Sequence, residues 1–290
     1  MSCTATRTAT RPMRTPPRTE ARRTLVEVDP GTVPGAPVRV RSRDGLLAAR
    51  TVARSAGHAE VALVATGAVL LGGDHVTVQV RVADGCALTL TDIGGTVAYD
   101  GEGVPCRWDV EVRLGAGARL DWEGLPFVVA TGADVTRSTD AVLGAGASLR
   151  LRETVVLGRD GERGGRVVLR SRAHDDDGPL LVEEVVAAGD RPVPGVLGGM
   201  RVVDTVTDLR GAADDDPSAH GPDTAPDGDA PDADARGADG AVSLHLERGG
   251  TLTRWLGPAA HLSPLHRSRP APARPVPVPP APPLARLEHA

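Results

Sequence analysis

The chain has 290 residues, a formal net charge of −5 and 24% charged residues, and every basic side chain apart from histidine is arginine. No apolar run approaches the roughly 20 residues of a membrane-spanning helix, and the first 23 residues lack the apolar region of a secretory signal. The three cysteines are too scattered for a disulfide framework or a structural zinc site. Few aromatics and an acidic balance argue against nucleic acid as a ligand. These features predict a cytoplasmic protein that binds neither membranes nor nucleic acid.

Composition divides the chain into five segments. Residues 1–24 hold six arginines and one glutamate, which is typical of a disordered basic tail and equally of a start codon assigned upstream of the true one. Residues 25–210 form a β-rich body, and residues 241–264 supply its final elements. Between them, residues 211–240 contain nine aspartates and one arginine, a composition that predicts a disordered insertion. Residues 265–290 are rich in proline and arginine, which predicts a second disordered tail.

Alternation of apolar and polar residues is the dominant pattern of the body. The clearest run is VTVQVRV at residues 76–82, and shorter runs occur at 38–41, 110–114 and 149–152. A period of two predicts strands with one buried face, and the many valines suit a pleated surface. No long apolar stripe at helical spacing is present. The body is therefore predicted to be almost wholly β, with few short helices.

A short sequence motif occurs three times in the body. Its turn glycine is Gly85, Gly117 or Gly146, with spacings of 32 and 29 residues. Each glycine falls between strands, where a left-handed turn conformation is needed. Repetition on this scale indicates stacked units that bury a core only together. We therefore expect an all-β fold of stacked, twisted β layers, similar to a β-solenoid or a sandwich.

The sequence carries no recognisable catalytic motif: GxSxG, the P-loop and HExxH are all absent. This absence favours binding or scaffolding over catalysis. Asp74 and Glu153 stand out because each is a carboxylate at the edge of an apolar β layer, where it needs a partner, a proton or a cation. His75 could add a nitrogen ligand beside Asp74. The structural alternatives are a turn-capping role for Asp74 and an arginine ion pair for Glu153.

Five short motifs follow one another along the body. They are LLGGDHVTVQVRVADG at residues 70–85, LTDIGGTVAY at 90–99, LDWEGLP at 120–126, RETVVLGR at 152–159 and VLGGM at 196–200. In this order, on a wholly β chain, they resemble the urease accessory protein UreD family, called UreH in some bacteria. The resemblance covers roughly residues 30–210 and 241–262. Val97 stands where the family frequently has lysine, and the tails and the insertion match none of its motifs.

The resemblance implies a non-catalytic maturation factor: a scaffold or chaperone that binds urease apoprotein and, with UreF and UreG, enables incorporation of nickel into the urease active site. It also implies nickel in transit along an internal route, with no permanently bound cofactor. Asp74 and Glu153 fall in the matching GGD and E-x-x-x-L-G-R elements, so they become candidates to line this route, with His75 a weaker one. Weak oxygen ligands suit a route because they release Ni²⁺, whereas a tight His/Cys cage would retain it.

Two other classes of protein fit part of the sequence. A secreted β-solenoid enzyme acting on an acidic polysaccharide would also show repeated strands and scattered carboxylates. It would, however, require a secretion signal and aromatic sugar platforms, and the chain has only five aromatic residues. A purely structural β protein is the third reading, and binding to UreF would distinguish it from a maturation factor.

Overall fold

The computed structural model describes residues 23–192, 195–212 and 240–267. The body is built from strands, which are β1 (Arg23–Asp29), β2 (Arg39–Arg43), β3 (Leu47–Ser55), β4 (His58–Ala65), β5 (His75–Val82), β6 (Ala87–Asp92), β7 (Thr96–Ala98), β8 (Cys106–Leu114), β9 (Arg119–Glu123), β10 (Phe127–Val129), β11 (Asp134–Leu143), β12 (Ser148–Leu157), β13 (Arg166–Asp175), β14 (Gly178–Ala188), β15 (Val202–Arg210), β16 (Val242–His245) and β17 (Gly250–Gly257).

The helical content of the described residues is two short 3-10 helices, Ala260–Leu262 and Pro264–Arg267, and they contain no α-helix. β1 begins at Arg23, two residues before the predicted start of the body, and the second 3-10 helix ends at Arg267, three residues beyond its predicted end. Most of the predicted basic tail, aspartate-rich insertion and proline-rich tail lies outside the described residues.

The strands form two sheets that face each other. Sheet A has the order β14-β13-β11-β8-β5-β1-β2, and sheet B has the order β16-β17-β15-β12-β9-β6-β4-β3 with β10 and β7 attached beside β12. From β4 to β13 the chain passes back and forth between the sheets, with the short strands β7 and β10 added to sheet B, and neighbouring strands within each sheet run parallel. This path is a β-solenoid of about four turns, which confirms the predicted all-β fold of stacked layers.

The recurring glycine turns stack on one another at one end of the strands. The N–H of Gly85 donates to the carbonyl of Ala116 at 2.8 Å, and the N–H of Gly117 donates to Ala145 at 2.7 Å. Gly117 has φ = 62°, and Gly85 and Gly146 are within one degree of it. Glycine is favoured here because L side chains are strained in this left-handed region. The repeat read from the sequence is therefore a column of hydrogen-bonded turns.

The core lies between the inner faces of the two sheets. On β5 the inward residues Val76, Val78, Val80 and Val82 are at most 2% exposed, while the alternate residues face outward. Burial of each valine stabilises the fold by roughly 1.5–3 kcal/mol relative to exposure. Trp255 packs instead in a smaller cluster on the other side of sheet B, with Val202, Val206 and Leu265.

The last coil is completed by antiparallel strands rather than by another parallel turn. Sheet A ends in the β13–β14 hairpin, and sheet B ends in the antiparallel strands β15, β17 and β16. The parallel stack therefore stops at an edge where the two sheets are joined through side chains.

We predict that Gly117→Ala is less stable than a matched variant, Gly94→Ala, by about 1–2 kcal/mol in the free energy of unfolding. An added Cβ meets nothing within 4 Å at either position, and Gly117 alone of the two has a positive φ. Urea unfolding of both variants measures this difference. Equal stabilities would contradict the strained-turn explanation.

Candidate functional site

The interior of the solenoid is apolar except where charged residues occupy inward-facing positions of the strands. On β12 the inward residues are Leu149, Leu151, Glu153, Val155 and Leu157, so one carboxylate replaces an aliphatic side chain. The same substitution of a charge for an apolar residue occurs on four other strands, at Asp92, Arg137, Glu183 and Arg254. These residues define the polar part of the interior.

Arg137 and Glu153 form the deeper of two ion pairs that cross between the sheets. Nε of Arg137 lies 2.8 Å from Oε1 of Glu153, and the two side chains are 10% and 17% exposed. The Thr139 hydroxyl lies 3.4 Å from the same carboxylate oxygen. The guanidinium also lies 5.2 Å from the centroid of the Trp108 ring and 5.0 Å from that of Phe127, which adds cation–π stabilisation. The structural alternative considered for Glu153, an arginine partner, is thus present.

Arg254 and Glu183 form the second ion pair, in which the arginine is on sheet B and the glutamate is on sheet A. Arg254 extends from sheet B to Glu183 on sheet A through two hydrogen bonds of 2.8 and 2.7 Å. Its Nε also donates to the hydroxyl of Thr205 at 3.1 Å. A two-bond arginine–carboxylate contact fixes the orientation of both groups as well as neutralising them.

Together the two pairs line a cavity that we call the polar seam. Its sheet B side is a row of neighbours on β12, β15 and β17, and its sheet A side is a row on β11, β13 and β14, with register set by the ladders. The seam is defined by Glu153, Thr205 and Arg254 on sheet B and by Arg137, Thr139, Ser171 and Glu183 on sheet A. Most of these residues line a small cavity of about 20 Å³, which has room for roughly one water molecule. Exposure increases from the deeper pair to Arg254 and Glu183, which are 23% and 27% exposed.

Asp92, at the end of β6, lies close enough to the deeper pair to feel its charges. Its carboxylate accepts hydrogen bonds from the indole N–H of Trp122 at 3.2 Å and from the N–H of Leu125 at 3.1 Å. Burial nevertheless raises the pKa of Asp92, and these two hydrogen bonds and the charge of Arg137 only partly offset it. Asp92 is therefore held by neutral donors, whereas Glu153 has an arginine in direct contact.

Asp74 lies at the edge of the core, where the chain enters β5. It is 4% exposed, and its Oδ2 accepts a hydrogen bond from the N–H of Leu71 at 3.0 Å. This contact is the turn-capping role that the sequence offered as the alternative for Asp74. Its charge also reaches the buried thiol of Cys106, whose pKa is raised to about 11, mainly by burial and secondly by Asp74.

His75 is directed away from this position, onto the outer face of sheet A. Its Nε2 lies 2.6 Å from Oδ2 of Asp109, and the Ser138 hydroxyl lies 2.5 Å from the other oxygen of that carboxylate. Burial disfavours ionisation of Asp109, but the hydrogen bonds from Ser138 and His75, with the charge of Arg107, lower its pKa below the usual value. Successive residues of a strand face opposite sides, so the structure does not bring His75 and Asp74 to one point.

The arrangement can exchange ion pairs and hydrogen bonds, but the described residues do not form a resident metal centre. Within the part of the chain that the structure describes, no group of three or more His, Cys, Asp or Glu side chains could hold a metal ion. Nor does any helix there have the length and apolarity that crossing a bilayer requires. Trp122 and Phe127 are core residues at 2% and 3% exposure. The fold thus defines a β-solenoid protein with a charged seam in its last coil.

Comparisons with known proteins identify the family of this chain. The family model described as "UreD urease accessory protein" matches residues 26–264. Urease accessory protein UreD 1 of Streptomyces griseus subsp. griseus is 45% identical over 173 residues, covering 59% of this chain and 68% of the relative. UreD of Streptomyces coelicolor is 35% identical over 191 residues, covering 64% and 75%. UreD of Cupriavidus metallidurans is 33% identical over 133 residues, covering 44% and 45%.

The chain belongs to the UreD family of urease accessory proteins, which are non-catalytic and take part in urease maturation. The family resemblance read from the sequence is confirmed, as is the expectation that the chain is not an enzyme. Glu153 was singled out from the sequence, but Arg137, Glu183 and Arg254 were missed. The signal that could have found them is a charge at the inward phase of an alternating strand, such as Leu252-Thr253-Arg254-Trp255-Leu256.

We predict that Arg137→Gln lowers the free energy of unfolding by about 3 kcal/mol, because it removes the charge partner of the largely buried Glu153. The double variant Arg137→Met/Glu153→Met should recover a large part of this loss, since it removes both charges. Urea unfolding measures both effects. Arg170→Gln is the control, because it removes an exposed pair with Glu184 and should cost less than about 1 kcal/mol. Equal losses for Arg137→Gln and Arg170→Gln would contradict a buried, interdependent pair.

Proposed function

We propose that this chain is a urease maturation factor that binds urease apoprotein and, with UreF and UreG, enables nickel to be incorporated into the urease active site. It acts as a scaffold or chaperone in the cytoplasm and carries nickel in transit, with no permanently bound cofactor. Membership of a urease accessory family supports the assignment to maturation. The partners and the cargo are the proposed part.

The observation that carries the nickel proposal is the polar seam. In the seam, two carboxylates, Glu153 and Glu183, and the hydroxyls of Thr205 and Ser171 border a cavity of about 20 Å³. Oxygen donors of this kind are weak ligands for a borderline ion such as Ni²⁺, so they pass the ion on rather than retain it. A carrier requires such reversible contacts, and the absence of a three-ligand group among the described residues fits this requirement.

Asp74 and Glu153 remain the residues that we assign to the route, with His75 a weaker candidate. Asp74 and Glu153 each have a partner already, a backbone N–H for Asp74 and Arg137 for Glu153. Ligation of a passing cation would therefore be an exchange, in which the carboxylate gives up one partner as it gains another. His75 lies on the outer face with Asp109, so any contribution that it makes is to a contact outside the seam.

Deletion of the gene from cells that carry a urease cluster and are supplied with nickel tests the function directly. We expect urease protein to remain abundant while its activity and nickel content fall, because the chain acts after synthesis of the apoprotein. Urease activity, immunoblotting and metal analysis measure the three quantities. A strain complemented with the intact gene is the control. Unchanged urease activity in the deletion strain would overturn the maturation proposal.

Conservative variants test the two proposed route residues. We expect Asp74→Asn and Glu153→Gln each to reduce urease activation at least severalfold, because an amide cannot supply a charged oxygen ligand. Glu153→Asp should retain more activity, since it keeps the carboxylate. Glu60→Gln, at an exposed carboxylate of β4, is the matched control. The variant chains should still co-purify with urease, and full activation by both amide variants would exclude these residues from the route.

A further inference from the structure

The outer limit of the polar seam is the edge where the final hairpins of the two sheets meet. Two arginines form ion pairs across this edge. Arg254 of β17 contacts Glu183 of β14. Arg248 in the β16–β17 turn contacts Asp175 of β13 at 2.8 Å and lies 3.5 Å from Asp177. The first pair lies over the seam, and the second lies at the turn end of the same strands. This edge is therefore held by charges, in contrast to the coils below it, which are held by backbone ladders and apolar packing.

An ion pair that joins the two sheets at this edge contributes only modestly to the free energy of folding. Removing two charged groups from water offsets much of their attraction, and apolar residues of similar volume often give equal or greater stability. Arg254 and Glu183 are each about a quarter exposed, so water can replace either partner without burial of an isolated charge. Unlike apolar packing at the same place, this ion pair can separate at a small cost in free energy.

We propose that the Arg254–Glu183 pair is a latch over the polar seam, and that its release opens the seam to small hydrated cations. The identification of the cation as nickel rests on the function proposed above. In the closed state the guanidinium of Arg254 donates hydrogen bonds to both carboxylate oxygens of Glu183 and places a positive charge at the opening. In the open state Arg254 extends into solvent, and Glu183 becomes available to an incoming cation.

The geometry gives the latch a direction. A cation that reaches Glu183 has the hydroxyls of Ser171 and Thr205 as its next oxygen donors, followed by Glu153, because these residues occupy adjacent strands on the two inner faces. Arg137 neutralises Glu153 from the sheet A side, and at 10% exposure it cannot leave as readily as Arg254. The outer pair therefore opens first, and the inner pair limits how far a cation proceeds without an exchange of partners.

Access to the seam can be measured without urease. A single reporter thiol is introduced as Ser171→Cys in a Cys3→Ser background, since Cys86 and Cys106 are buried. The probe is a cationic methanethiosulfonate, and the rate of thiol modification is followed by mass spectrometry. We expect Glu183→Gln and Arg254→Gln each to increase this rate about tenfold. Thermal unfolding of each variant verifies that the fold is retained.

The matched control is Glu184→Gln. Glu184 is the next residue of β14, faces outward and pairs with Arg170, so its loss removes an ion pair of the same hairpin outside the seam. The modification rate should stay at the wild-type value in this variant. Equal rates in Glu183→Gln, Arg254→Gln and Glu184→Gln would overturn the latch. A variant that unfolds is replaced by Arg254→Lys, which keeps the charge but loses the two-bond contact and should give an intermediate rate.

Urease activation then tests what the latch admits. In cells with limiting nickel, the Arg254→Gln chain, which opens the latch but keeps the Glu183 carboxylate, should reach half-maximal activation at a lower nickel concentration than the Glu184→Gln chain. A faster thiol reaction with an unchanged nickel requirement would leave the latch in place but overturn its part in nickel access. Failure of the wild-type chain to support activation would overturn the proposed function, and the thiol rates alone would then decide whether the latch exists.

Discussion

The inward phase of the strands is the constraint on which the rest of this structure depends. No coil can bury its inner face alone, so each one is stable only when stacked on the next through parallel ladders and hydrogen-bonded turns. Every second residue of a strand then faces the core. Once one residue of a strand is known to face inward, the inward or outward direction of all its other side chains follows. A charged residue at an inward position becomes a buried group that must find a partner inside the solenoid.

The partners come from across the core rather than from the same sheet. Arg137 of sheet A contacts Glu153 of sheet B, and Arg254 of sheet B contacts Glu183 of sheet A. Each pair joins one positive and one negative side chain, so the pairs add no net charge to the seam, and their opposite directions place both signs on each sheet. They also connect the sheets at the level where the parallel coil gives way to antiparallel hairpins. The polar seam is thus the place where the architecture changes and where apolar packing is least continuous.

Sequence patterns predicted the parts of this arrangement that are local. Alternation defined the strands, and the repeated turn at Gly85, Gly117 and Gly146 indicated stacking, because both signals lie within a few residues of the chain. The ion pairs are not local. Glu183 and Arg254 are 71 residues apart, and their contact depends on how two hairpins of different sheets are aligned. Glu153 could be recognised as a carboxylate in an apolar context, but the sequence could not specify which of the many arginines would meet it.

The expectation that His75 and Asp74 act as ligands at one site failed for a different reason. The two are adjacent in sequence, which made a shared ligand set attractive. The same alternation that predicted β5, however, places consecutive residues on opposite faces, and in the structure Asp74 borders the core while His75 meets Asp109 outside. The alternation in the sequence already implies that the side chains of two consecutive residues point to opposite faces of the sheet. It therefore indicates that Asp74 and His75 do not share a site.

The contrast between Asp92 and Glu153 indicates why arginines accompany carboxylates in the seam. Asp92 is held by an indole N–H and a backbone N–H, and burial raises its pKa, so its environment favours the neutral form more than water does. A neutral carboxyl is a poor ligand for a cation. An arginine in direct contact compensates the charge of a carboxylate and can be displaced, because it is held by charge and hydrogen bonds alone. In the route proposed above, Glu153 and Glu183 each contact an arginine directly, and the more exposed Arg254 is the one placed where displacement is easiest.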